Sequence, residues 1–220
     1  MAFRSRFLTA PLLLLGTIAA AAQQSVPIVQ PGAPGEPGKH LTEATVRIPP
    51  KPPFAADVEF MQGMIMHHSQ AVEMVALLRT RGKSPALKSF GEKIAISQSD
   101  EIGSMKRWLE DRGKPTTMQM DHSKMTPAQM KNMKMDMLMP GMLTPQQMTA
   151  LAKARGAQFD HLFLTGMIQH HGGALTMVEE LFKTPGAGQE PVLFDFATDI
   201  ENTQSAEIKI MRGMLDKERK

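Results

Sequence analysis

The segment Phe60-Met61-Gln62-Gly63-Met64-Ile65-Met66-His67-His68-Ser69-Gln70-Ala71-Val72-Glu73-Met74-Val75 recurs 103 positions later as Phe163-Leu164-Thr165-Gly166-Met167-Ile168-Gln169-His170-His171-Gly172-Gly173-Ala174-Leu175-Thr176-Met177-Val178. Nine of the sixteen positions are identical, both histidines and two methionines among them. A helix turns about 100° per residue, which sets Met64 and Ala71 at the middle of one face, His67 and His68 on either side, and Phe60, Met74 and Val75 along the same stripe. Each copy therefore aims two imidazoles and two thioethers at the protein interior.

The flanking sequence repeats as well. A first helix is expected from Phe54 to Thr80, stopped by Gly82. Ser84-Pro85 supplies an N-cap with proline at the first helical position, so a second helix runs from Pro85 to Asp111 and ends at Gly113 and Pro115. Within it Ser97-Gln98-Ser99-Asp100-Glu101-Ile102-Gly103-Ser104-Met105-Lys106-Arg107-Trp108-Leu109 aligns with Thr203-Gln204-Ser205-Ala206-Glu207-Ile208-Lys209-Ile210-Met211-Arg212-Gly213-Met214-Leu215, at an offset of 106. The duplicated unit is a helical hairpin, and its second copy has a longer connection around Pro185-Gly186-Ala187-Gly188. Neither hairpin can bury its apolar stripe alone, so the expected architecture is all-α, a four-helix bundle built from the two.

The domain is expected over residues 54–220. Ahead of it, residues 1–22 read as a secretory signal peptide: Arg4 and Arg6, an apolar run from Pro11 to Ile18, then small residues up to Ala22. Residues 23–53, rich in proline and glycine, read as a disordered or extended tether. The product is thus expected to be periplasmic or secreted, with no membrane association beyond the signal peptide. There is no cysteine, which removes disulfides, thiolate metal sites and cysteine catalysis. The formal charge of +3 includes Arg4 and Arg6, and without residues 1–22 there remain 23 basic against 22 acidic side chains, a charge of +1. A near-neutral chain with no basic run argues against nucleic acid as a partner.

Methionine usage is exceptional: twenty, against one tryptophan and no tyrosine. Ten lie between Met118 and Met148, and the insert 116–142 between the hairpins carries Met118, Met120, His122, Met125, Met130, Met133, Met135, Met137, Met139 and Met142. Core packing does not explain such a cluster in a polar segment. Thr126-Pro127-Ala128-Gln129 and Thr144-Pro145-Gln146-Gln147 both match the capping box, so short helices are expected to begin there. The third long helix is expected to start near Ala157.

Histidine pairs on a buried face need a reason, because a neutral imidazole keeps one donor and one acceptor to satisfy. Four such residues recur at matching places beside methionine, where leucine would pack better. Met64, His67, His68 and Met74, with Met167, His170, His171 and Met177, are the candidate metal ligands. Ala71 and Ala174 leave a gap one turn beyond the histidines. The second helices add Gln98, Glu101 and Met105, repeated as Gln204, Glu207 and Met211, as supporting groups or further ligands. Glu101 and Glu207 on an apolar stripe would be expensive unpaired, and their partner is either a histidine or a basic residue at a bundle end. Asp57 and Asp160 fall on the same face near each helix start, where capping and dipole roles suit them equally well.

Imidazole suits copper, zinc, iron and nickel, whereas thioether selects copper(I). A di-iron bundle would want Glu-x-x-His on two helices, and no histidine here has a glutamate three residues before it. Structural zinc prefers cysteine or tighter histidine sets. Copper, as Cu(I) or Cu(II) with silver as its mimic, is the best match. The methionine-rich insert fits the same cation, since thioethers need no deprotonation and form no disulfides.

The doubled pattern Asp-x-x-Phe, Met-x-x-His-His-x-x-Ala-x-x-Met and Gln-x-x-Glu-Ile-x-x-Met-x-x-Trp-Leu resembles the domain of unknown function 305 family over about residues 54–220. The resemblance implies an exported bacterial protein with a ferritin-like four-helix fold, in a family where some members bind copper and are linked to copper tolerance. It carries Met64, His67, His68 and Met74 over as the first motif and Met167, His170, His171 and Met177 as the second. The second copy departs from the pattern, with Met214 in place of Trp108 and Gly172-Gly173 where the first has Ser69-Gln70. A double glycine loosens a helix, so the second site is expected to be the more open.

The resulting expectation is an exported protein that sequesters copper or hands it on to a copper exporter or another copper protein. Its rivals are a ferritin-like oxidase of copper(I) or iron(II), and a methionine-rich adaptor with no metal role.

Overall fold

The computed structural model describes residues 28–32, 35–41, 52–118 and 138–218. The expected signal peptide, the insert from Gln119 to Met137 and the capping box at Thr126 lie outside the described residues. The chain divides into two compact units, Met1–Pro50 and Lys51–Lys220.

In the first unit the expected tether contains a regular element. Strands β1 (Ile28–Gln30) and β2 (Lys39–Leu41) pair antiparallel, with Val29 opposite His40. Glycine makes the connection feasible. Gly35 sits at φ +93°, and a Cβ on Gly32 would stand 2.4 Å from the Glu36 carbonyl oxygen.

The second unit contains five helices among its described residues: α1 (Ala55–Arg81), α2 (Pro85–Glu110), α3 (Pro145–Lys153), α4 (Gly156–Lys183) and α5 (Pro191–Glu218). Their boundaries follow local chemistry. Ser84 Oγ accepts from the Leu87 amide at 3.2 Å with Pro85 at the first helical position. Thr144 and Gln147 close the expected capping box in both directions, at 3.2 and 2.9 Å.

The tight pairs are α1 with α2 and α4 with α5, and α1 packs on α4 across the two hairpins. The last pairing is antiparallel: Gly82 at the end of α1 bridges to Gly156 at the start of α4, and Asp57 in the first turn of α1 meets the connection after α4. The four long helices are the expected bundle. Two inward carboxylates tie its ends. Asp160 accepts from the Lys83 and Ser84 amides at 2.9 and 2.8 Å, and Asp57 accepts from the Gly188 amide at 2.8 Å. Both therefore serve the turns at the bundle ends, roughly three helical turns from the histidines of their own helix.

The core falls into two apolar clusters. One gathers Met74, Leu78, Phe159, Phe163, Met167 and Met211, and the other Phe60, Met64, Met105, Trp108, Ala174 and Met177. The lone tryptophan also has a local cause. Its indole N–H donates to Glu190 Oε2 at 2.9 Å, the same oxygen that accepts from the Leu193 amide at the start of α5, and the Arg112 guanidinium lies 4.2 Å from its ring centre. The first-hairpin position matching Glu190 is Ser84, which offers no carboxylate, and in the second hairpin Met214 stands where the first has the indole. No described helix is long and apolar enough to cross a membrane.

Asp160→Ala leaves two turn amides without their acceptor, and is expected to cost about 2 kcal/mol. Urea unfolding checks this through a lowered midpoint at unchanged slope.

Candidate metal centre

His67, His68, His170 and His171 are all fully buried, at 0% exposure. They lie where α1 crosses α4, and their geometry repeats between copies. The His67–His68 and His170–His171 ring centres are each 6.2 Å apart at 55°, and the His67 and His170 rings approach to 3.8 Å across the crossing. The outer histidines are held identically: His68 Nε2 donates to Glu101 Oε2 and His171 Nε2 to Glu207 Oε2, both at 2.6 Å. The two glutamates thus pair with histidine, the first of the two partners foreseen, rather than with a basic residue at a bundle end. Glu101 also accepts from Ser97 Oγ at 3.0 Å and lines a cleft of about 240 Å³ between α2 and α5, beside Asp100 and Asp199.

The inner histidines break the symmetry. His170 Nε2 donates to the His67 carbonyl at 2.8 Å, whereas His67 Nε2 donates to the Pro140 carbonyl at 3.0 Å. A carbonyl oxygen can only accept, so both inner rings carry their proton on Nε2 and turn the Nδ1 lone pair elsewhere. In all four rings Nδ1 is buried without a partner, as are both amide atoms of Gln98 and Gln204. These eight atoms are the buried side-chain nitrogens and oxygens that lack a partner among the described residues. Each orphaned polar group costs on the order of 1–3 kcal/mol, and native interiors carry few of them. The α1–α2 register set by His68–Glu101 and Arg79–Glu92 puts Gln98 across from Ala71, and duplication puts Gln204 across from Ala174. The two amides therefore lie level with those alanines.

Met64, Met74, Met105, Met167 and Met211 are fully buried and Met177 nearly so. Among the described residues no three His, Asp or Glu side chains gather as a ready-made metal cage. The unpartnered nitrogens and their methionine surroundings instead suit a soft cation. Of the insert's methionines, Met118, Met139 and Met142 lie in the described residues. Met120, Met125, Met130, Met133, Met135 and Met137 lie outside them, with His122.

Sequence reasoning missed the docking of the insert's exit. Residues 139–143 lie between the two histidine-bearing helices. Gln70 donates to the Leu143 carbonyl at 3.0 Å and accepts from its amide at 2.7 Å, while Gln169 Nε2 reaches the Gly141 and Met142 carbonyls at 3.2 and 3.3 Å. A Cβ on Gly173 would fall 1.9 Å from the Pro140 carbonyl oxygen. This corrects the expectation of a looser second site. α4 runs unbroken through Gly172-Gly173, His170 and His171 are as buried as their counterparts, and Gly173 is the notch into which another backbone fits. A mid-helix glycine aligned with Gln70 was the available signal.

Burial holds the His67 imidazolium far from favour, with neighbouring His68 adding to the effect, and the pKa drops from 6.5 to about 3 despite the Pro140 hydrogen bond. Burial, then His67, drives His170 well down too. Unfolded chains bind these protons below about pH 6.5 while the folded protein does not. Stability is therefore full above pH 6.5 and lost as pH falls toward 3, by up to about 1.4 kcal/mol per unit for each ring. Chemical denaturation of metal-free protein between pH 7 and 4 is expected to show this slope, and His67→Gln to flatten it.

Several solved structures share the fold. A DUF305 fragment from Deinococcus radiodurans aligns at TM-score 0.61 and 26% identity, over 76% of this chain and 99% of that one. A DUF305 protein of Streptomyces coelicolor, described as secreted, gives 0.59 and 28%, over 74% and 93%. CopM in its Cu(I)-bound form gives 0.55 and 27%, over 73% and 96%, and CopM is also known in Cu(II)-bound and silver-bound forms. Protein L153 of Acanthamoeba polyphaga mimivirus, itself uncharacterized, is 39% identical over 59 residues, which span 27% of this chain and 39% of the viral protein. The family model for a domain of unknown function, DUF305, matches residues 57–215, and the chain belongs to that family.

Proposed function

We propose that this is an exported copper-binding protein that sequesters the metal or passes it on, through the Met/His residues of the bundle and the methionine-rich insert. One observation carries the reading: four buried imidazoles, each fixed through Nε2, leave Nδ1 without a partner in a core lined with methionine. The kinship with CopM, crystallised with copper and silver, supports it.

In this reading Glu101 and Glu207 orient His68 and His171, as carboxylates behind metal-bound imidazoles commonly do. The Pro140 and His67 carbonyls do the same for the inner pair. Met64, Met74, Met167 and Met177 supply thioethers that favour copper(I). The depressed pKa of His67 means that no proton competes for its ring at neutral pH. Thioethers of the insert, from Met118 to Met142, capture the cation and release it inward or to a copper exporter or another copper protein, because they bind without a proton to displace. The likeness to a secreted relative supports export.

Titration of the purified protein with copper(I) against a chromogenic chelator tests this. Uptake is expected at micromolar free metal, weakened roughly tenfold or more in a His67→Gln, His170→Gln double variant. No uptake of copper(I) or copper(II) at that level would sink the reading.

A further inference from the structure

The two halves of the bundle are related by duplication, so each feature of one should have a partner in the other. Gly63 of α1 and Gly166 of α4 are such a pair, identical in both copies. Around Gly166, a Cβ would meet Met74 Cε at 3.3 Å and Leu143 Cδ2 at 3.0 Å. Around Gly63, it would meet Met177 Cε at 3.4 Å and Met139 Sδ at 3.4 Å. Met74 and Met177 are counterparts in the repeat. The third component differs: the docked segment 139–143 sends a thioether to one glycine and an isobutyl group to the other.

Packing does not account for this difference. At Gly166 a methyl group would be cramped against Leu143, which suffices to explain that glycine. At Gly63 a methyl group would make ordinary van der Waals contacts, yet the position is glycine in mid-helix, at a cost of about 1 kcal/mol relative to alanine. The space saved lies between two sulfur-bearing side chains from different elements, one turn along α1 from His67. The entry of the insert is fixed at the same turn, since Gln62 Nε2 donates to the Pro115 carbonyl at 2.7 Å. The methionine-rich segment thus leaves α1 beside Gln62 and returns beside Gly63.

We propose that Met139 and Met177 form a thioether site for a soft monovalent cation, copper(I) or silver(I), over Gly63, and that Leu143 closes the matching position over Gly166. The two halves are then inequivalent: a cation taken up by the insert meets the bundle first at Gly63, on the side where Pro140 holds His67. Two thioethers suit such an ion because copper(I) is selected by soft sulfur and tolerates few ligands. The inference rests on the copper reading above and adds a ligand, Met139, that acts with the bundle rather than with the free insert.

Silver(I) titration of full-length protein labelled with methyl-13C methionine tests it, the signals being assigned by single substitutions. Met139 and Met177 methyls are expected to shift together at the first equivalents, while Met74 responds later or not at all. Met139→Leu should lose one silver equivalent and the Met177 shift. Gly63→Ala, which helix propensity favours, should fold at least as stably and show the same loss. Leu143→Met should gain an equivalent and bring a shift at Met74. Silver bound elsewhere with Met139 and Met177 unmoved, or Met139→Leu titrating like the unaltered protein, would overturn the site and leave the copper reading standing. No methionine shift at all, together with no copper uptake, would remove both.

Discussion

Four imidazole rings taken out of water at one helix crossing set the terms for the rest of this bundle. An imidazole in an apolar core needs a partner for its N–H, and each of these has one: a glutamate for the outer rings, a main-chain carbonyl for the inner. Those partners fix where the neighbouring elements lie. Glu101 and Glu207 set the register of each hairpin, the His67 carbonyl sets how closely α4 approaches α1, and the Pro140 carbonyl requires a stretch of non-helical chain between them. The opposite nitrogens remain unmatched. Four such nitrogens, with two buried amides in addition, are the polar groups that packing leaves unmatched among the described residues.

Much of the fold was legible because it is encoded locally. Ser84-Pro85, Thr144-Pro145 and Gly82 act within a turn of where they stand, and the structure starts and stops its helices accordingly. The inward face of each histidine pair was also readable, since a 3.6-residue period with nine identities in sixteen leaves little choice of face. The pairing of Glu101 and Glu207 with histidine followed from the expense of burying a carboxylate, which narrowed the partners to two.

What could not be read depends on surfaces meeting. Which nitrogen of His67 is engaged is decided by a carbonyl contributed from 73 residues away. The docking of residues 139–143 turns on the absence of a side chain at Gly173, and a missing atom has no periodicity. Gly172-Gly173 looked like a weak point because propensity counts only the helix that contains it, whereas the role of Gly173 is set by the backbone laid against it. Asp57 and Asp160 were seen on the correct face, but the amides they bind belong to turns of the opposite hairpin. The strand pair at Ile28–Leu41 was hidden in a composition that reads as extended chain.

The two anchor points at Gln62 and Gly63 have an architectural implication. A segment whose entry and exit meet on one helical turn behaves as a replaceable cassette, because doubling its length raises the entropy of closing it by only about 0.6 kcal/mol. Selection could lengthen, shorten or re-compose residues 116–138 without moving a helix, so the composition of the insert can evolve separately from the bundle that anchors it.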